Sequence, residues 1–148
     1  MTLLSCRYNP GMSWASSPGT RRSMQSNRRR DTSPEVAVRR ILHREGMRYR
    51  VDYAPLGGRR RADIVFTRQH IAVFIDGCFW HGCPAHATLP STNIGYWIPK
   101  LQRNIVRDRE TDAMLREAGW IALRFWEHEA AEEVARRIRT ELECSRRQ

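Results

Sequence analysis

The run Ala62-Asp63-Ile64-Val65-Phe66-Thr67-Arg68-Gln69-His70-Ile71-Ala72-Val73-Phe74-Ile75-Asp76 holds two short apolar segments of β type, joined by four polar residues. That pattern predicts a hairpin. Antiparallel pairing would bring Asp63, at the start of one strand, and Asp76, at the end of the other, to the same end of the sheet. Upstream, Thr32 and Glu35 have capping-box spacing and Pro34 suits a first turn, so a helix is expected to about Glu45, stopped by Gly46. Tyr49 to Tyr53 reads as a strand, followed by a turn at Pro55-Leu56-Gly57-Gly58. Downstream, Ile98 to Ala118 has helical spacing at Leu101, Ile105 and Leu115, Trp120 to Trp126 reads as a buried strand, and Ala130 to Leu142 as an amphipathic helix. The order α-β-β-β-α-β-α predicts an α/β fold, a mixed sheet flanked by helices.

With 148 residues the chain fits one domain, expected over residues 31–143. Residues 1–30 contain no acid and no apolar periodicity, and are expected to be a flexible basic arm; residues 144–148 are expected to fray. Lys and Arg total 26 against 16 Asp and Glu, a formal charge of +10 that favours a polyanionic partner. Lys100 is the only lysine, so a mechanism needing a lysine has a single candidate. Cys6, Cys78, Cys83 and Cys144 are not spaced as a secreted disulfide framework, and no leader-like segment precedes them, so a cytoplasmic location is expected. No apolar run approaches the roughly 20 residues that span a bilayer, so no membrane partner is expected.

The chemistry is concentrated in Asp76-Gly77-Cys78-Phe79-Trp80-His81-Gly82-Cys83-Pro84-Ala85-His86. Cys78, Cys83 and His86 offer three ligands to a structural zinc, and His128, directly after the last strand, is the expected fourth. His81 is an alternative ligand, but four ligands from so short a loop would strain it, which leaves His81 for catalysis. Adjacent Phe79 and Trp80 at a turn can reach a flat partner such as a DNA base.

Asp63 places a carboxylate on an otherwise apolar strand, costly unless solvated, paired or metal-bound. Restriction-type nucleases hold Mg²⁺ with an acid on such a strand. Glu35 is explained by the capping box alone. Asn104 and Asp108 share one helix face, as a solvated stripe or, for Asp108, as a carboxylate that orients a catalytic histidine. Tyr96 and Trp97 fit a plain core equally well.

Taken together, Asp76 to Pro84, Asn93, Tyr96-Trp97, Asn104, Arg107-Asp108, Gly119-Trp120 and Arg124-Phe125-Trp126-Glu127 resemble the very-short-patch mismatch repair endonucleases, over roughly Arg21 to Arg137. The resemblance implies a restriction-endonuclease-like fold and a Mg²⁺-dependent nick 5′ of the thymine in a T:G mismatch left by deamination of 5-methylcytosine. It implies that Asp63 and the Ile75 carbonyl hold the metal, that His81 is the catalytic histidine, and that Glu35 is a helix-borne glutamate near the site. Cys78, Cys83 and His86 match zinc ligands, and His128 stands where many members have cysteine. Phe79, Trp80 and Trp97 match aromatics that wedge into DNA beside the mismatch, with Arg21 and Arg22 as further DNA contacts. Asp76 replaces a histidine of the best-known members, one supported there by an acid corresponding to Asp108. That pair is not transferable unchanged, and a role as additional metal ligand is open to Asp76.

The expected mechanism is hydrolysis of one phosphodiester, with Mg²⁺ at Asp63 and His81 as general acid or base on water. The protein is expected to act as a monomer on double-stranded DNA at the nucleoid. Two other readings compete: a nuclease of the same fold without mismatch specificity, and a zinc-stabilised DNA-binding module without activity.

Overall fold

The computed structural model describes residues 30–86 and 93–146. The expected arm, with Arg21 and Arg22, lies outside the described residues apart from Arg30. In chain order the elements are α1 (Ser33–Arg44), β1 (Arg50–Tyr53), β2 (Ala62–Phe66), β3 (Ile71–Asp76), α2 (Ile94–Glu117), β4 (Ile121–Trp126) and α3 (Ala131–Ser145). This is the expected order, and it gives an α/β fold with one mixed sheet.

The four strands lie in sequence order across the sheet. β1 with β2 and β2 with β3 are antiparallel, whereas β4 joins β3 in parallel, with α2 as the crossover. Both faces are covered. On one, Ile64, Phe66, Ile71, Val73 and Phe125 pack against Val38 and Leu42 of α1 and Val134, Ile138 and Leu142 of α3. On the other, Val65, Ala72 and Phe74 meet Leu115 of α2. Successive strand residues alternate between faces, so Asp63, Asp76 and Arg124 share the α2 face with Val65, Phe74 and Ala122. Among the described residues no helix is long and apolar enough to cross a membrane.

Three local expectations need correction. The long helix starts at Ile94, four residues before the expected Ile98, and takes Pro99 into its interior. Proline there forfeits a helical N–H bond and crowds the preceding turn. Opposing this, Trp97 is only 5% exposed and anchors the first turn, where its N–H and that of Tyr96 donate to the Asn93 carbonyl at 3.1 and 3.0 Å. Thr32 and Glu35 do meet, but not as a capping box. The Thr32 hydroxyl donates to Glu35 Oε1 at 2.7 Å and the Asp31 N–H to Oε2 at 2.9 Å, so the buried Glu35 carboxylate ties down the segment before the helix. The final helix runs three residues past Leu142, its last turn carrying a Ser145 hydroxyl bond to the Glu141 carbonyl at 3.0 Å.

Candidate functional site

β3 and β4 end level with one another, Asp76 opposite Trp126. The two chain segments that leave them therefore stay close. Cys78 Sγ lies 3.0 Å from His128 Nδ1, and Cys83 Sγ lies 3.8 Å from both His128 Nδ1 and His86 Nδ1. The two histidine Nδ1 atoms are 3.2 Å apart. All four donor atoms fall within 4.8 Å of one another, which makes Cys78, Cys83, His86 and His128 a closed set of two sulfurs and two nitrogens. Burial and the neighbouring Cys83 thiol push the Cys78 thiol up to about 11, a cost that a bound cation removes by holding the thiolate. His81 is outside this cluster, as the sequence suggested.

The loop between these ligands is pinned from two sides. Glu127 Oε1 accepts the Cys78 N–H at 2.8 Å, and the Asn104 side-chain amide donates to the Trp80 carbonyl at 3.1 Å. Asn104 thus holds the loop through its backbone. Gly82 has φ +69°, and a Cβ there would lie 3.0 Å from Ile105, so both its conformation and its close approach to α2 call for glycine. Phe79 and Trp80 are half-buried and Trp97 lies in contact with both, with ring centroids 5.1 to 5.8 Å apart. The Lys100 ammonium sits 5.2 Å over Trp80, 5.3 Å over Trp97 and 5.5 Å over Tyr96.

Asp63 and Asp76 do meet at one end of the sheet. Asp63 Oδ2 accepts the Ile75 N–H at 2.7 Å, which puts Ile75 directly beside the carboxylate. Burial pushes the Asp63 carboxyl up to about 7; the Ile75 bond opposes this, and the charges of Glu35 and Asp76 add to it. The arrangement fits a hard divalent cation, since an ion bound by Asp63 would return the group to its ionised form.

His81 Nδ1 contacts Asp108 Oδ2 at 2.5 Å and lies 3.7 Å from Asp76 Oδ1. Burial works against an imidazolium, but the Asp108 hydrogen bond and the charges of Asp76 and Asp108 outweigh it, so His81 titrates above its ordinary value. Asp108 is held below its ordinary range: burial is outweighed by the His81 bond and by the charges of His81, Arg124 and Arg107. These groups line a cleft of about 180 Å³ with Arg124 and Asp112.

Three residues of this site were given no role from the sequence, although Arg124 and Glu127 fall in a stretch that carries the resemblance. Arg124 Nη1 donates to both oxygens of Asp76 at 3.0 and 2.9 Å, and its Nε to both oxygens of Asp112 at 2.9 and 3.0 Å. An arginine inside an otherwise apolar strand was the available signal for it. Asp112, one helical turn beyond Asp108, carried no signal that separates it from surface acids.

The most similar sequences complete the assignment. A family model described as DNA mismatch endonuclease Vsr matches residues 16–86. The type II nicking enzyme V.NaeI of Lentzea aerocolonigenes is 50% identical over 119 residues, spanning 78% of this chain and 72% of that enzyme. The type II nicking enzyme V.XorIIP of Xanthomonas oryzae pv. oryzae is 39% identical over 118 residues, 78% of this chain and 85% of that enzyme. The DNA mismatch endonuclease Vsr of Escherichia coli is 34% identical over 107 residues, 72% of this chain and 67% of that enzyme. The chain belongs to the Vsr family.

The half-buried Asp63 has a consequence for stability. Its folded-state pKa of about 7 stands above the ordinary 3.8, so the folded form favours the protonated acid. That contribution is fully present below pH 4 and is lost as pH rises through 7. With no divalent cation added, Asp63→Asn should therefore be more stable than the parent at pH 8, by up to about 4 kcal/mol, with the gap closing toward pH 4. Chemical denaturation at a series of pH values checks this; a gap independent of pH would contradict it.

Proposed function

We propose that this protein is a mismatch-directed DNA endonuclease that nicks one strand 5′ of the thymine in a T:G pair, with a restriction-endonuclease-like fold over residues 31–143. The observation that carries the reading is the His81–Asp108 hydrogen bond, set in a charged cleft beside the half-buried, strand-borne Asp63. Membership of the Vsr family and the nicking-enzyme relatives support the same activity. The net charge of +10 suits a DNA substrate.

Asp63 and the Ile75 carbonyl would hold Mg²⁺, which when bound supplies positive charge to the phosphate and the leaving oxygen. Asp108 engages His81 Nδ1, which fixes the ring and leaves Nε2 as the atom that exchanges a proton with water. Glu35 and Asp76 act on Asp63 through their charges. Cys78, Cys83, His86 and His128 would hold a structural zinc, whose tetrahedral demand matches two sulfurs and two nitrogens. Such a clamp would fix the loop bearing Phe79, Trp80 and His81. Phe79 and Trp80 would wedge into the stack beside the mismatch. Trp97 would join them only after the first turn of α2 moves, since it is 5% exposed. Arg21 and Arg22 are assigned to the DNA backbone, and the active unit to a monomer.

Purified protein should carry about one zinc by elemental analysis, and His128→Ala should lose most of it together with thermal stability. A metal-free protein that melts at the same temperature would rule out the clamp. In a cleavage assay at saturating Mg²⁺, T:G duplex should be nicked in preference to other mismatches and to paired duplex. His81→Ala should cut about a hundredfold more slowly while still binding DNA. Equal cleavage of paired duplex would favour a nuclease without mismatch specificity, and no cleavage of any duplex a binding module.

The aromatics separate by burial. Trp97→Ala should cost about 3 to 5 kcal/mol of folding stability. Phe79→Ala and Trp80→Ala should keep most of theirs and lose affinity for T:G duplex more than for paired duplex, because unstacking is cheapest at a weak pair. Melting curves and titrations at fixed salt distinguish the two; equal losses on both duplexes would exclude a wedge.

A further inference from the structure

The cleft contains a second group of metal-type donors, Asp76, His81 and Asp108, whose ligand atoms lie within 4.8 Å of one another. Each is already engaged, and the partner common to both acids is Arg124. Its Nη1 takes both oxygens of Asp76, its Nε both oxygens of Asp112, and its Nη2 reaches the Asp108 carbonyl at 3.3 Å and Oδ1 at 3.7 Å. The guanidinium also lies 4.3 Å from the centre of the Phe74 ring. It thereby joins β3, β4 and two successive turns of α2 around the histidine.

Removing this one charge would leave Asp76 and Asp108 facing the His81 imidazole, with Arg107 as a further charge near Asp108, and would take from Asp112 its guanidinium partner. A divalent cation drawn to that excess would compete with His81 Nδ1 for Asp108, and so take the ring out of its orientation. We propose that Arg124 is a positioning residue: its guanidinium fixes Asp76 and Asp108 about His81 and, by neutralising Asp76, keeps a divalent cation out of the Asp76–His81–Asp108 group. The proposal rests on the nuclease reading above for the role of His81. Lysine cannot replace arginine here, because an ammonium lacks the planar fork that spans Asp76 and Asp112 together.

The test counts Mn²⁺ bound to zinc-loaded protein without DNA, by electron paramagnetic resonance, so that it does not depend on activity. Arg124→Leu should bind one more Mn²⁺ than the parent, and Asp76→Asn combined with Arg124→Gln should return to the parental count. Arg124→Lys should lower the single-turnover nicking rate about tenfold or more while its Kd for T:G duplex stays within about threefold. A merely structural role would lower neither selectively. An unchanged Mn²⁺ count in folded Arg124→Leu overturns the exclusion of the cation. An unchanged rate in Arg124→Lys overturns the positioning, and this variant carries the test if Arg124→Leu does not fold. A parent that nicks no duplex would instead sink the nuclease reading, and the count would still decide where cations bind.

Discussion

The parallel, in-register pairing of β3 with β4 is the constraint on which the site depends. Because Asp76 stands opposite Trp126, chain segments of equal length leave both strands, and Cys78 meets His128 two residues later. The Glu127 N–H donates to the Asp76 carbonyl at 3.0 Å, carrying the ladder past the strands' ends. One register thus closes the Cys/His cluster and sets Asp76 near Arg124. A parallel pair needs a long crossover, and α2 supplies it together with Asp108 and Asp112. Sites at the carboxyl ends of parallel strands are a common outcome in α/β folds, since there the loops converge while the backbone stays rigid.

The charges gathered there weigh against stability. Asp63 and Asp76 on one face of the sheet, with Asp108 and Asp112 on the helix over it, would repel one another, and burial raises the carboxyls of both Asp63 and Asp76. Arg124 and His81 offset much of this through direct bonds, and burial disfavours the Arg124 charge less than its acidic partners favour it. An ion network of this kind is weak evidence for stability, since hydrophobic residues of like volume often serve a fold as well. Its specific use is orientation. It holds the histidine ring by bonds that leave one nitrogen uncommitted to the protein's acids.

Much of the fold was legible, because its signals are local. Short apolar runs around four polar residues marked the hairpin, helical spacing marked α1 and α3, and the order of elements gave the mixed sheet. The apolar spacing of Leu101, Ile105 and Leu115 does not reach the start of α2, which begins at Ile94, with Pro99 in its interior and the buried Trp97 in its first turn. Thr32 and Glu35 had the right spacing for a capping box, yet Glu35 spends its carboxylate on the Asp31 N–H and the Thr32 hydroxyl instead. Spacing alone does not say which of two nearby donors a carboxylate takes.

By itself the sequence determined the order of elements, the charge that suits DNA, and the residue types of both clusters, including His128 at a distance of 42 residues from His86. Those features depend on composition and on short-range periodicity. Only the tertiary structure decided how the acids are used: that Asp63 bonds the Ile75 N–H, that Asp108 takes His81, and that Asp76 turns to Arg124. Each of these contacts joins segments 12 to 48 residues apart. Which carboxylate meets which cation follows from strand register and helix docking, and neither is written in the spacing of the residues themselves.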